Sequence, residues 1–129
     1  MKLSVFSVLF CALFVSASFA QQQGPQGVLV SYCLGVAPVN GSYQFTNNCS
    51  FVIEVAAAQP HPNGQPNGSD TFQLFPRGNA LSGTTSLAYP RYWACSAPNG
   101  PRDATTHATP KSDSNNVVCP RGGGAGAAR

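Results

Sequence analysis

Apolar and polar residues alternate with a period of two in several short windows, and no window sustains the 3.6-residue period of an amphipathic helix. The chain therefore reads as all-β. Val28-Leu29-Val30-Ser31-Tyr32-Cys33 is rich in strand formers, and Pro38-Val39-Asn40-Gly41 follows with turn chemistry, Asn-Gly being the strongest short hairpin signal. Ser42 to Thr46 answers as the returning strand. Asn47 and Asn48 interrupt it, and the next strand sets Phe51, Ile53 and Val55 toward the core with Val52 and Glu54 on the other face. Ala58 to Asp70 contains a doubled Pro-Asn-Gly that no ladder accommodates, which predicts an exposed loop.

Alternation resumes at Thr71-Phe72-Gln73-Leu74-Phe75 and stops at Pro76 and Gly78, after which a Gly/Ser/Thr stretch leads to an aromatic strand. In that strand Tyr89, Arg91, Trp93 and Cys95 share one face while Tyr92 and Ala94 share the other. Trp93 is expected to pack inward near a disulfide and Tyr92 to point outward. From Ser96 to Asn116 the chain is polar and proline-bearing, so Cys119 is needed to tie it back. Gly122 to Arg129 has nothing to bury and reads as a disordered Gly/Ala tail.

The first twenty residues form a different kind of segment. Lys2, a mostly apolar run from Leu3 to Val15, and small residues at Ser18 and Ala20 match a secretory signal peptide spanning residues 1–20, with a mature domain from 21 to 121. Cys11 follows the bulky Phe10 in mid-run, which is the wrong context for a lipid anchor. No second apolar stretch approaches the ~20 residues of a membrane span. The expected product is secreted, extracellular or periplasmic, without a membrane anchor.

Export changes the meaning of the cysteines, because an oxidising compartment makes disulfides the default for Cys33, Cys49, Cys95 and Cys119. They offer neither a CxxC pair nor a neighbouring histidine pair, so no metal site is assigned. A two-residue turn at Asn40-Gly41 pairs positions whose numbers sum to 81, which sets Cys33 opposite Asn48, one residue short of Cys49. A bulge at Asn47-Asn48 would correct the slip. Of three possible connectivities this favours Cys33 with Cys49 and Cys95 with Cys119. Each closure is worth about 3 kcal/mol in the chain-entropy view, a large share of a small domain's stability.

Charge adds exclusions. The formal net charge is +3, and without Lys2 the remaining basic and acidic residues are few and scattered. Nucleic-acid and membrane surfaces are not expected without a clustered basic stripe. With four carboxylates and two histidines, the chain has a poor stock of acid, base or nucleophilic groups. No catalytic residue and no cofactor are assigned.

Asn47-Asn48-Cys49-Ser50-Phe51-Val52-Ile53-Glu54-Val55 and Tyr92-Trp93-Ala94-Cys95-Ser96-Ala97-Pro98 resemble two stretches of small secreted bacterial disulfide proteins of unknown function, an Asn-x-Cys before a Val-x-Val strand and an Ala-Cys-x-x-Pro. The first stretch, with Phe45-Thr46 before it, is also faintly similar to the opening strands of thaumatin-like proteins. That second likeness ends after those strands, since the chain lacks that family's many cysteines and acidic cleft. Both motifs imply structure, and neither supplies a catalytic residue.

Several residues invite a chemical reading. Asp103 and His107 lie four apart, but Pro98, Gly100, Pro101 and Pro110 place them in a loop rather than on a helix. Glu54 reads as an outward charge that blocks edge pairing. His61 and His107 are isolated histidines on different loops. Asn40, Asn48 and Asn67 each fit the N-glycosylation pattern, and in a eukaryotic host Asn67 would be the favoured acceptor because its loop is open. Tyr89, Tyr92 and Trp93 beside Arg91 concentrate aromatic area suited to stacking on sugars or peptides, which nominates Tyr92 and Arg91 as ligand contacts. The expectation is a disulfide-stapled antiparallel β-sandwich of about five or six strands, acting as a non-enzymatic binding module for a glycan or protein ligand. A small secreted toxin, antimicrobial or inhibitor is the alternative, and a small hydrolase the third.

Overall fold

The computed structural model describes residues 23–82 and 89–121. The expected signal peptide, the Gly/Ala tail and most of the Gly/Ser/Thr stretch before Tyr89 lie outside these residues. The described chain is all-β and antiparallel, with β1 (Leu34–Val39), β2 (Ser42–Asn47), β3 (Ile53–Ala58), β4 (Asp70–Leu74), β5 (Asn79–Leu81), β6 (Arg91–Ser96), β7 (Arg102–Asp103) and β8 (Val117–Val118). Two three-stranded sheets, ordered β1-β2-β5 and β4-β3-β6, face each other, and β7 with β8 forms a separate ribbon. The facing sheets hold six strands, within the expected five or six, but β5, β7 and β8 fall in stretches where no strand was expected.

The β1–β2 hairpin follows from its turn. Asn40 and Gly41 both take positive φ, 49° and 81°, as a type I′ turn requires. The paired positions run from Val39↔Ser42 to Leu34↔Asn47, all summing to 81 as expected. In a two-residue hairpin the closing pair exchanges the hydrogen bonds, so Pro38 opposite Tyr43 lies at a non-bonded position, where its missing N–H turns to the free edge of β1.

Two local expectations are corrected. Val28 to Cys33 is not a strand: Ser31–Cys33 forms a 3-10 turn and β1 starts at Leu34. Long-range bonds override the strand propensity there, since the Val30 amide donates to the Ala94 carbonyl at 2.8 Å and the Ala94 amide donates to Ser31 Oγ at 3.1 Å. Leu29 bridges Cys95, so the incoming chain covers the outer edge of β6. In place of a bulge at Asn47-Asn48, Asn47 ends β2 and makes an Asx turn, its Oδ1 accepting from the Cys49 amide at 2.8 Å. Cys33 and Cys49 then both lie beyond the ladder, where the alternation of faces no longer applies, and they join across 5.1 Å between Cα atoms.

Cys95 joins Cys119 across 5.6 Å between Cα atoms, so both expected pairings are present. The core between the sheets contains Phe45 and Leu34 from one sheet, Ile53, Val55, Leu74 and Ala94 from the other, and Val30 from the incoming segment. Phe45 meets the Phe72 ring at 5.4 Å and the Tyr92 ring at 5.9 Å, which ties the sheets together. A second, smaller core lies on the opposite face of the β4-β3-β6 sheet, where Ala56 and Ala58 make room for Trp93 beneath Val117. Trp93 is thus buried near the Cys95–Cys119 bridge as expected. Tyr92 is not outward: both faces of β6 are covered, and Tyr92 packs half-buried on the intersheet side.

Glu54 is also corrected. Strand β3 is the centre of its sheet, so Glu54 guards no edge; it is half-buried and accepts from Gln73 Nε2 at 2.8 Å. The loop after β3 is exposed from His61 to Pro66 and pinned at its end. The Asn67 amide donates to Ser112 Oγ at 2.8 Å, its carbonyl accepts from the Ser112 amide at 2.8 Å, and Ser69 Oγ donates to the Pro110 carbonyl. Asn67 is therefore half-buried rather than in open loop, while Asn40 and Asn48 are exposed.

Candidate functional site

Tyr92 is brought together with two other tyrosines, and Arg91 is not among them. Neighbours on a strand point to opposite faces. The Arg91 guanidinium sits over the Trp93 ring at 5.2 Å and donates through Nη1 to the Ser112 carbonyl at 2.9 Å. It clasps the C-terminal segment against the sheet. Tyr92 faces the other way, where its ring is 6.4 Å from Tyr89, and Tyr89 meets Tyr43 edge-on at 5.3 Å with 74° between planes.

Tyr89 is 58% exposed and the other two are half-buried, so the cluster shows one open ring braced by two fixed ones. Tyr43 is held in register by β2, whose alternation puts Tyr43 and Phe45 on one face, and Ser82 binds it from the side: its Oγ accepts from the Tyr43 amide at 3.4 Å and its amide donates to the Tyr43 carbonyl at 2.9 Å. Partial desolvation, followed by the electrostatic influence of the neighbouring Tyr92 phenol, raises the Tyr89 phenol above its ordinary value. Tyr89 is therefore neutral at physiological pH. Tyr43 went unrecognised as a site residue because it is 46 residues from Tyr89 in sequence, and only its place beside Phe45 in the alternation signalled an inward aromatic.

Asp103 and His107 fall in one tight turn, as a loop reading implies. The His107 amide donates to the Asp103 carbonyl at 2.8 Å, and His107 itself takes φ 59°. The Asp103 carboxylate accepts from the amides of Thr106 at 3.1 Å and Thr105 at 2.8 Å. The Thr106 amide, then the Ser114 hydroxyl and the Thr105 amide, hold its pKa below the usual carboxylate value. A carboxylate committed to backbone donors with a lowered pKa is a weak proton acceptor. It lines a polar cleft of about 370 Å³ with Asp113, Asn115 and Asn116. His61 sits in a different turn, its amide donating to the Gln65 carbonyl at 3.0 Å, and among the described residues no three His, Cys, Asp or Glu side chains gather as a metal site would require.

A second cleft, of about 350 Å³, lies between Val52, Phe75, Ala97 and Pro98 with Gln23 and Gln73 at its rim, and no acid or base lines it. Among the described residues no helix is long and apolar enough to cross a membrane. No family model, curated protein or solved structure matches the chain.

Proposed function

We propose that the protein is an exported, non-enzymatic binding module that contacts an extracellular or periplasmic ligand, a glycan or a peptide, through Tyr89 and Tyr92 with Tyr43 behind them. The observation that carries this reading is the tyrosine cluster: a solvent-facing ring packed edge-on against Tyr43 and tilted against Tyr92 offers a flat apolar face with phenolic hydroxyls beside it. The two disulfides are typical of extracellular chains and support the exported state. The engaged Asp103 carboxylate, withdrawn from acid–base work by its backbone donors, supports the non-enzymatic part.

The test is a glycan and peptide array probed with the oxidised protein, followed by the same array with Tyr89→Ala. Loss of a contact of this kind costs about 2 kcal/mol, so retained ligands should bind roughly thirtyfold more weakly to the variant. A blank array, or ligands that bind Tyr89→Ala undiminished, would remove the proposal. Tyr32, exposed and absent from the ring contacts of the cluster, supplies the control substitution.

A further inference from the structure

Four Asn-Gly dipeptides occur in the described chain: Asn40-Gly41, Asn63-Gly64, Asn67-Gly68 and Asn99-Gly100. Such a dipeptide can cyclise, because glycine places no side chain between its own amide nitrogen and the asparagine carboxamide. The sequence makes the four equivalent. The structure separates them.

At Asn63 both reacting groups are engaged, Oδ1 accepting from the Gln65 amide at 3.0 Å and the Gly64 amide donating to the His61 carbonyl at 2.8 Å. At Asn67 the Gly68 amide is engaged, donating to Oδ1 at 3.0 Å. The Asn67 backbone is also clamped by Ser112 on its N–H and its C=O, and Gly68 bridges Lys111, so it cannot swing into an attacking position. At Asn99 the side chain donates through Nδ2 to the Pro120 carbonyl at 3.3 Å, and a Cβ on Gly100 would already be 3.8 Å from Glu54. Asn40 differs on every count. It is exposed at the tip of the hairpin, neither its carboxamide nor the Gly41 amide has a hydrogen-bond partner among the described residues, and nothing lies within 4 Å of the Gly41 Cβ position.

We infer that Asn40 is the chain's site of spontaneous backbone modification, deamidating through a cyclic imide while the other three Asn-Gly pairs are held unreactive by the fold. The Gly41 nitrogen gives its proton to solvent base and attacks Asn40 Cγ. The Cγ–Nδ2 bond breaks and its nitrogen, taking a proton back from solvent, leaves as ammonia. Water then adds to one of the two imide carbonyls, opening the ring to aspartate or to isoaspartate, with no oxidation or reduction. Either product adds a negative charge at the hairpin tip and abolishes the acceptor pattern of Asn40-Gly41-Ser42. Isoaspartate also inserts a methylene into the backbone between Val39 and Ser42, which the two-residue turn cannot absorb.

The experiment is peptide mapping by mass spectrometry of oxidised, folded protein held at mildly alkaline pH, beside the same protein reduced and unfolded in denaturant. In the unfolded sample the four sites should convert at comparable rates. In the folded sample Asn40 should convert faster than each of the others by on the order of tenfold or more, since withdrawing a near-attack geometry carries a penalty of that size. Asn40→Gly, which suits the positive φ of the turn, should leave the folded protein without a fast site. Conversion led by Asn63, Asn67 or Asn99 in the folded sample, or four equal folded rates, would overturn the assignment.

Discussion

Asn47 is fully buried, and removing its side chain should unlatch one sheet from the other. Its Nδ2 donates to the Phe51 carbonyl and to the Leu74 carbonyl, both at 2.9 Å, while Oδ1 accepts from the Cys49 amide. A single carboxamide at the end of β2 thereby satisfies the connection to β3 and the last residue of β4. Asn47→Ala strands two carbonyls and one amide where water has little access. Each such loss costs about 1 kcal/mol as a net bond and more when the partner stays buried and unpaired, so the three together cost at least about 3 kcal/mol. Against a total of roughly 5–15 kcal/mol for a domain of this size, that is a large fraction. Urea unfolding followed by Trp93 fluorescence should show the midpoint falling by roughly 1.5–3 M at unchanged slope. Asn48→Ala, altering an exposed side chain next door, should stay within about 0.5 kcal/mol of the parent. If the two variants unfold together, the latch has been misjudged and the Asn47 contacts hold nothing.

Arg91→Ala should cost about 1–2 kcal/mol through loss of the ring contact and of the bond to Ser112, and it should shift the emission of the sole tryptophan to the red as water reaches Trp93. Graded reduction should open Cys33–Cys49 before Cys95–Cys119, because Cys33 is half-exposed while Cys95 is fully buried; thiol labelling with mass mapping reads the order, and simultaneous opening would contradict it. The Asp103 pKa is lower in the folded state than in the unfolded one, so its contribution is present above the ordinary carboxylate range and disappears as pH falls through the folded value. The Thr105 and Thr106 amides should lose exchange protection on that acid limb, and Asp103→Asn should remove the pH dependence.

What could be read from the chain was whatever a short-range rule governs. Asn40-Gly41 fixes the turn type, the turn type fixes the register, and the register brings Cys33 within reach of Cys49; each link is local. Alternation likewise placed Ile53, Val55 and Trp93 on their faces. It failed at Tyr92 because it distinguishes two faces without saying what covers each, and here a loop covers one and a sheet the other. Val28 to Cys33 misled for the opposite reason: strand composition was real, but Ser31 and Val30 are recruited by Ala94, far away in sequence. Asn47 looked like an interruption because a buried asparagine and a strand-ending one are identical until their partners are known. The tyrosine cluster was not legible: alternation set Tyr89 and Tyr92 on opposite faces, but Tyr89 lies outside the strand that begins at Arg91, and the contact with Tyr43 depends on how the two sheets face each other.

The clasp between the two long loops has a practical outcome for anyone wishing to rebuild this scaffold. Asn67, Gly68, Lys111 and Ser112 are joined mainly through main-chain atoms, with one serine hydroxyl contributing, so the grip does not depend on what lies at the loop tips. Residues 61–66 and 105–107, all exposed, are thus positions where foreign peptides can be displayed or randomised while the anchor behind them stays closed.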